Sequence, residues 1–119
     1  MIRIKRAYEK PVSDDGYRVL VDRIWPRGKS KKQLALDEWD KIVAPSTALR
    51  KSFNHDPKRW ISFQSRFRKE LHANLEAKEV FRRLARLSRT GTVTLVYAAR
   101  DERHNQAVVI KQMIEESGK

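Results

Sequence analysis

The chain has 119 residues, 27 of them Lys or Arg against 15 Asp or Glu, for a formal net charge of +12, and it has no cysteine. That length fits one domain, and the missing cysteines exclude disulfide frameworks, thiolate nucleophiles and cysteine-ligated zinc. No apolar run approaches the ~18–20 residues of a membrane span. Met1 to Arg6 alternates charge with isoleucine instead of forming a signal-peptide core, so the expectation is a cytoplasmic protein with no membrane partner.

The charge is uneven. Residues 1–49 carry 11 Lys/Arg and 7 Asp/Glu, residues 50–90 carry 12 and 4, and residues 91–119 carry 4 and 4. The basic excess therefore sits mid-chain, where it would attract polyanions at low salt. The competing reading of that excess is solubility alone.

In chain order, Ile2 to Arg6 alternates like a strand. Tyr17 to Asp22 is a β-branched run typical of a strand buried on both faces, stopped at Pro26, which lacks a ladder donor, and Gly28, which permits a sharp turn. Ser30 and Gln33 have capping-box spacing and predict a short helix to about Leu36. Pro45-Ser46 starts a helix in which Leu49 and Phe53 share a face. Asp56-Pro57 marks another start, an acceptor at the N-cap followed by a proline preset for the first turn, and Trp60, Phe63, Phe67 and Leu71 then step along one stripe. A helix from about Glu76 to Ser88 is expected to bury Val80, Leu84 and Leu87, with Gly91 at its C-terminal end. Thr92 to Ala98 is the second buried strand, and Ala107, Ile110, Met113 and Ile114 lie on a last helix. The order predicts an α/β fold: a small, mostly parallel sheet covered by helices, three-layered and Rossmann-like.

Two charged clusters stand just past the ends of the two best strands: Asp22-Arg23 with Arg27, and Arg100-Asp101 with His104-Asn105. In open α/β sheets ligands bind in the crevice beyond the carboxyl ends of neighbouring parallel strands, and the second cluster also opens a helix, whose free N–H groups favour an anion. Guanidinium forks match phosphate and carboxylate. Arg23, Arg27 and Arg100 are accordingly the expected anion-binding groups of a pocket for a small phosphorylated or nucleotide-like ligand, and Asp22 and His104 the candidate base and acid. Trp25, in a loop beside Arg27, is the tryptophan expected to meet a ligand, and Tyr97, Asp101 and Asn105 complete the set of binding residues. No motif requires a metal or cofactor.

The runs RVLVDRIWPRG (18–28), IVAPS with Leu49-Arg50 (42–50), HDPKRW (55–60) and LVYAARDERHN (95–105) closely resemble the YeaO-like family of bacterial domains of unknown function. The resemblance covers nearly the whole chain. It implies a three-layer α/β fold and a cytosolic prokaryotic protein, and no settled activity. Ile24 stands where leucine is more usual, and Phe67 where tyrosine is expected, which removes any role for a hydroxyl there. A more distant branch places a cysteine just before the histidine matching His104; here Arg103 stands there, so thiol chemistry does not carry over.

Each candidate has a structural alternative. Asp101 is expected to cap the last helix, Asp22-Arg23 could form an ion pair with Arg100-Asp101, and His104 could be a solvated first-turn histidine. His55-Asp56 resembles a metal-binding doublet, but Pro57 marks Asp56 as a helix cap. Trp60 belongs to the core. Lys78, Arg82, Arg86 and Arg89 form a basic stripe that reads first as a solvated face. The rival function is a non-enzymatic module binding nucleic acid weakly and nonspecifically through the basic face of residues 50–90. No glycine-rich phosphate loop or serine elbow is present.

Overall fold

A computed structural model describes residues 1–117. Four strands, β1 (Ile2–Arg6), β2 (Tyr17–Leu20), β3 (Glu38–Trp39) and β4 (Val93–Tyr97), form one sheet in the order β1-β4-β2-β3. All pairings are parallel, with Ile4 and Val19 both opposite Leu95. The expected parallel centre is thus β2 beside β4, and every residue of β4 is buried. The two-residue β3 escaped sequence reading because so short a strand has no period to detect.

Among the described residues five α-helices complete the fold: α1 (Lys31–Leu34), α2 (Thr47–Phe53), α3 (Trp60–His72), α4 (Leu75–Thr90) and α5 (Gln106–Ser117). Four carry N-cap side chains that local sequence supplies. Ser30 accepts from the N–H of Gln33, whose side chain returns to Ser30; Ser46 accepts from Leu49, Asn74 from Ala77 and Asn105 from Val108. Asp56 caps the one-turn 3-10 helix Pro57–Arg59 leading into α3.

The layers are unequal. Val19, Val21, Val93, Leu95 and Tyr97 face α2 to α5, whose Phe53, Phe63, Phe67, Phe81 and Ile110 make the main core. On the opposite face Leu20 and Val96 meet only Ala7, Leu34 of α1 and the half-buried Trp25 and Leu36. Phe67 is fully buried, so its apolar ring suits the site. In α4 the buried stripe is Ala77, Phe81, Leu84 and Ala85, while Val80 is half-buried and Leu87 is 38% exposed. The expectation that Leu87 is buried is therefore corrected: the stripe that faces the core runs through Ala77, Phe81, Leu84 and Ala85, and Leu87 lies outside it.

Gly16 has φ +62°, and a Cβ there would lie 2.2 Å from the carbonyl oxygen of Thr92. Only glycine allows β2 to enter the sheet so close to the start of β4.

Candidate functional site

β2 and β4 run side by side, so their following loops emerge together. Between them and α2 lies a cavity of about 660 Å³, within the ~300–1,000 Å³ of small-molecule sites. Asp22, Arg23, Trp25 and Arg27 line it from the β2 side, and Arg100, Asp101, His104 and Asn105 from the β4 side. Tyr97 does not: it is buried beneath the site at 2% exposure, and burial first, then the charges of Glu102 and Glu9, push its hydroxyl up to about 12.

Asp22 sits where the two strands end. Its Oδ2 accepts the backbone N–H of Ala98 at 2.9 Å, and its Oδ1 accepts from the side-chain amide of Gln106, the first residue of α5. Burial pushes the Asp22 carboxyl up to about 6; the Ala98 N–H, the Arg50 charge and Gln106 oppose that rise without cancelling it. The Asp22 carbonyl receives the indole N–H of Trp39 at 2.7 Å, and Trp39 meets Trp25 edge-on at 5.2 Å. Trp25 is fixed as well by donating to the carbonyl of Lys29 at 2.6 Å.

The arginines divide. Arg23 donates to the carbonyls of Pro45 at 3.2 Å and Ala44 at 3.3 Å, tying the β2 loop to the segment before α2. It therefore lines the cavity with its guanidinium already engaged. Arg27 and Arg100 are exposed, and neither guanidinium has a hydrogen-bond or ion-pair partner among the described residues. Arg50, half-buried on α2, adds a fourth cation beside Asp22.

The Asp101 loop corrects the expected helix start. Asp101 accepts the N–H groups of Arg103 and His104 at 2.9 and 3.0 Å, which folds a turn ahead of α5, and Asn105 is the residue that caps the helix. The side chain of Asn105 also donates to the carbonyl of Asp101. The His104 Nδ1 lies 2.8 Å from Asp101 Oδ2, and that bond first, then the N–H of Arg103, holds the Asp101 carboxyl below the usual range. Trp60, packed on Phe53 and Phe63, meets the His104 ring edge-on at 5.3 Å. His104 is thus held from two sides just ahead of the helix, with its ring still partly exposed. No ion pair joins Asp22-Arg23 to Arg100-Asp101 among the described residues; each carboxylate has its own partners.

Sequence reasoning missed Arg50, Phe53, His55, Phe63 and Gln106 as lining residues. Phe53 and Phe63 stack at 4.5 Å and give the cavity an apolar wall continuous with the core. The signal for Arg50 lay in its neighbour Leu49, since one helical turn that buries Leu49 and Phe53 carries Arg50 to their border. His55 reaches the cavity through two consecutive left-handed residues, Asn54 and His55, with φ 49° and 54°, which no local pattern announces.

In the basic stripe on α4, Lys78 is half-buried and the three arginines are exposed. Arg82 pairs with Glu79, and Arg86 is exposed. Elsewhere on the basic face Arg66 donates to Ser52, and Arg68 reaches Glu116 and Gln112. No helix among the described residues is long and apolar enough to cross a membrane.

Comparison with known sequences identifies a family. The family described as "Inactive DUF488-N3 subclade" matches over residues 1–119. The chain belongs to that family. It is 41% identical over 109 residues to the Uncharacterized protein YeaO of Escherichia coli (strain K12), covering 92% of each chain. It is also 41% identical over 113 residues to the Uncharacterized protein Rv3073c of Mycobacterium tuberculosis (strain ATCC 25618 / H37Rv), covering 95% of this chain and 92% of that one. The family resemblance drawn from the four motifs is thus correct, and the family is one of unknown function. No solved structure matches.

Proposed function

We propose that this chain is an anion-binding protein whose cavity beyond β2 and β4 holds a small phosphorylated or nucleotide-like ligand. One observation carries the reading: Arg27 and Arg100 stand exposed at one cavity with no partner for either guanidinium among the described residues. Like charges gathered without counter-ions repel, and an anion gripped by two guanidinium forks relieves that repulsion. The half-buried, fixed Trp25 offers an apolar surface beside the cations, and the buried Phe53 and Phe63 close the cavity behind it.

Binding, more than turnover, fits the family's own description, which is of an inactive subclade. The Asp101–His104 pair favours a second reading, in which an oriented imidazole does acid–base work on the bound anion with Asp22 opposite.

A thermal-shift screen of nucleotides, sugar phosphates and short oligonucleotides tests both, because a ligand of the native state raises the melting temperature. A small phosphorylated compound should raise it, and Arg27→Ala or Arg100→Ala should abolish the rise. Turnover of that compound would establish the second reading. A response confined to oligonucleotides and kept in both variants would move the function to the basic face of residues 50–90, where affinity should be weak and fall steeply with salt.

A further inference from the structure

Three aromatic side chains are anchored to the loop that follows β2. Tyr8, in the turn after β1, donates its hydroxyl to the carbonyl of Arg27 at 3.1 Å. Trp25 donates to the carbonyl of Lys29, and Trp39 of β3 donates to that of Asp22. These polar handles fix the rings, yet Tyr8 stays 42% and Trp39 37% exposed. Each of those two carries cations. Lys41 Nζ lies 4.1 Å from the Trp39 ring centroid, and the Arg6 guanidinium and Lys29 ammonium stand 5.3 and 5.6 Å from that of Tyr8. Arg6, Lys29 and Lys41 have no carboxylate partner among the described residues. The carboxylates nearby are taken up elsewhere: Glu9 accepts the backbone N–H of Arg6, Asp22 is held by Ala98 and Gln106, and Asp40 is buried. Trp25 joins the two ends. It meets Trp39 edge-on at 5.2 Å, and the carbonyl it bonds belongs to Lys29, whose ammonium stands beside Tyr8. Ring and cation therefore alternate along one connected strip from Arg6 to Lys41.

We propose that this strip binds single-stranded nucleic acid, with bases stacking on Tyr8 and Trp39 and phosphates meeting Arg6, Lys29 and Lys41. The strip's alternation matches a polymer that repeats base and charge. Every base has a π-face, so stacking of this kind needs no particular sequence, and a positive surface interleaved with aromatic rings is how nonspecific single-strand sites are built. A duplex keeps its base faces stacked on one another and so offers the rings no partner. The strip lies outside the basic segment of residues 50–90, and Arg100 takes no part in it. Strand binding here is thus separate from the small anion of the cavity.

The test is a tryptophan-fluorescence titration of the intact chain at near-physiological salt, where binding by charge alone is weak. Its probes are a short oligothymidylate, a duplex of the same length, and polyglutamate, which repeats charge without bases. The single strand should quench the fluorescence and bind at least about fivefold more tightly than either control. Tyr8→Ala and Trp39→Ala should each weaken it by at least about fivefold, the loss of one stacked base. The Arg82→Ala/Arg86→Ala variant should stay within about twofold of wild type. If Trp39→Ala does not fold, Tyr8→Ala, in an exposed turn, decides. No binding of the single strand, equal binding of duplex or polyglutamate, or full binding kept in the ring variants would overturn the proposal. A loss confined to Arg82→Ala/Arg86→Ala would also overturn it and assign the strand to α4.

Discussion

β2 is flanked by two aspartates, and their surroundings are opposite. Asp15, just before the strand, is fully buried with Arg18 at 2.7 Å, Lys5 at 3.1 Å and the backbone N–H of Val12 at 3.1 Å. Arg18, itself buried, spends its remaining donors on the carbonyl of Leu34, at 3.0 and 2.8 Å, closing the end of α1. Burial alone would raise the Asp15 carboxyl, but the Val12 N–H and the Lys5 and Arg18 contacts outweigh it and lower it. Asp22, just after the strand, has two neutral donors and one nearby arginine, and there burial wins. The first cluster is complete within the chain. The second has cations left over, and that surplus is what supports the proposed anion site.

The contrast breaks most easily at Arg18. Arg18→Ala leaves Asp15 without its closest partner and the Leu34 carbonyl without donors, so it should cost about 3–5 kcal/mol of stability in urea unfolding. A loss below about 1 kcal/mol, the scale of an ordinary surface change, would mean that the Asp15 cluster is no more structural than the strand-end cluster.

A smaller effect separates the two aspartates by pH. Asp22, raised to about 6, keeps its proton longer when folded than when unfolded. Its contribution to stability is therefore full below the unfolded value of about 4 and is lost as pH rises through about 6. Asp15, lowered, acts in the other direction, and its contribution is lost only as pH falls below about 4. Relative to Asp22→Asn, the wild-type chain should thus lose stability between pH 4.5 and 7, measured as the difference in urea midpoints. Asp40, also raised to about 6 by burial and then by Glu38, is common to both chains and drops out of that difference. A difference that does not change with pH would show that Asp22 is not desolvated.

The smallest expected effect belongs to the α4 stripe. Arg82→Ala and Arg86→Ala remove the same charge as a cavity variant from an exposed face, so each should change stability by no more than about 0.5 kcal/mol and leave ligand response intact. Loss of the response in these variants would assign it to net charge and not to the cavity.

Much of this was legible in the sequence, for identifiable reasons. β2 and β4 announce themselves because a strand buried on both faces reads as an unbroken apolar run, and Ser30, Ser46 and Asp56 mark local starts with side chains that must bond nearby N–H groups. That Asp22, Arg27, Arg100 and His104 share a cavity followed from two parallel strands ending side by side. What remained hidden depends on tertiary placement. Arg23 reads like its neighbours, yet the Ala44 and Pro45 carbonyls claim it. Asp101 has the form of a helix cap, but its carboxylate closes a turn one step earlier and Asn105 takes the cap. Tyr97 alternates with the pocket-facing direction of the chain and ends beneath the site. Gln106 and Arg50 reach the cavity only because α5 and α2 pack against the same strand ends.

The central claim is that Arg27 and Arg100 serve a ligand and Arg18 serves the fold. The most direct measurement is made on the Arg27→Ala/Arg100→Ala double variant, by urea unfolding without ligand and by calorimetric titration with whichever small anion stabilises the wild-type chain. The expected result is a stability within about 1 kcal/mol of wild type, or above it, together with loss of binding. A stability loss of about 3–5 kcal/mol with binding unchanged would show that these arginines are struts, and the account of the cavity would be wrong.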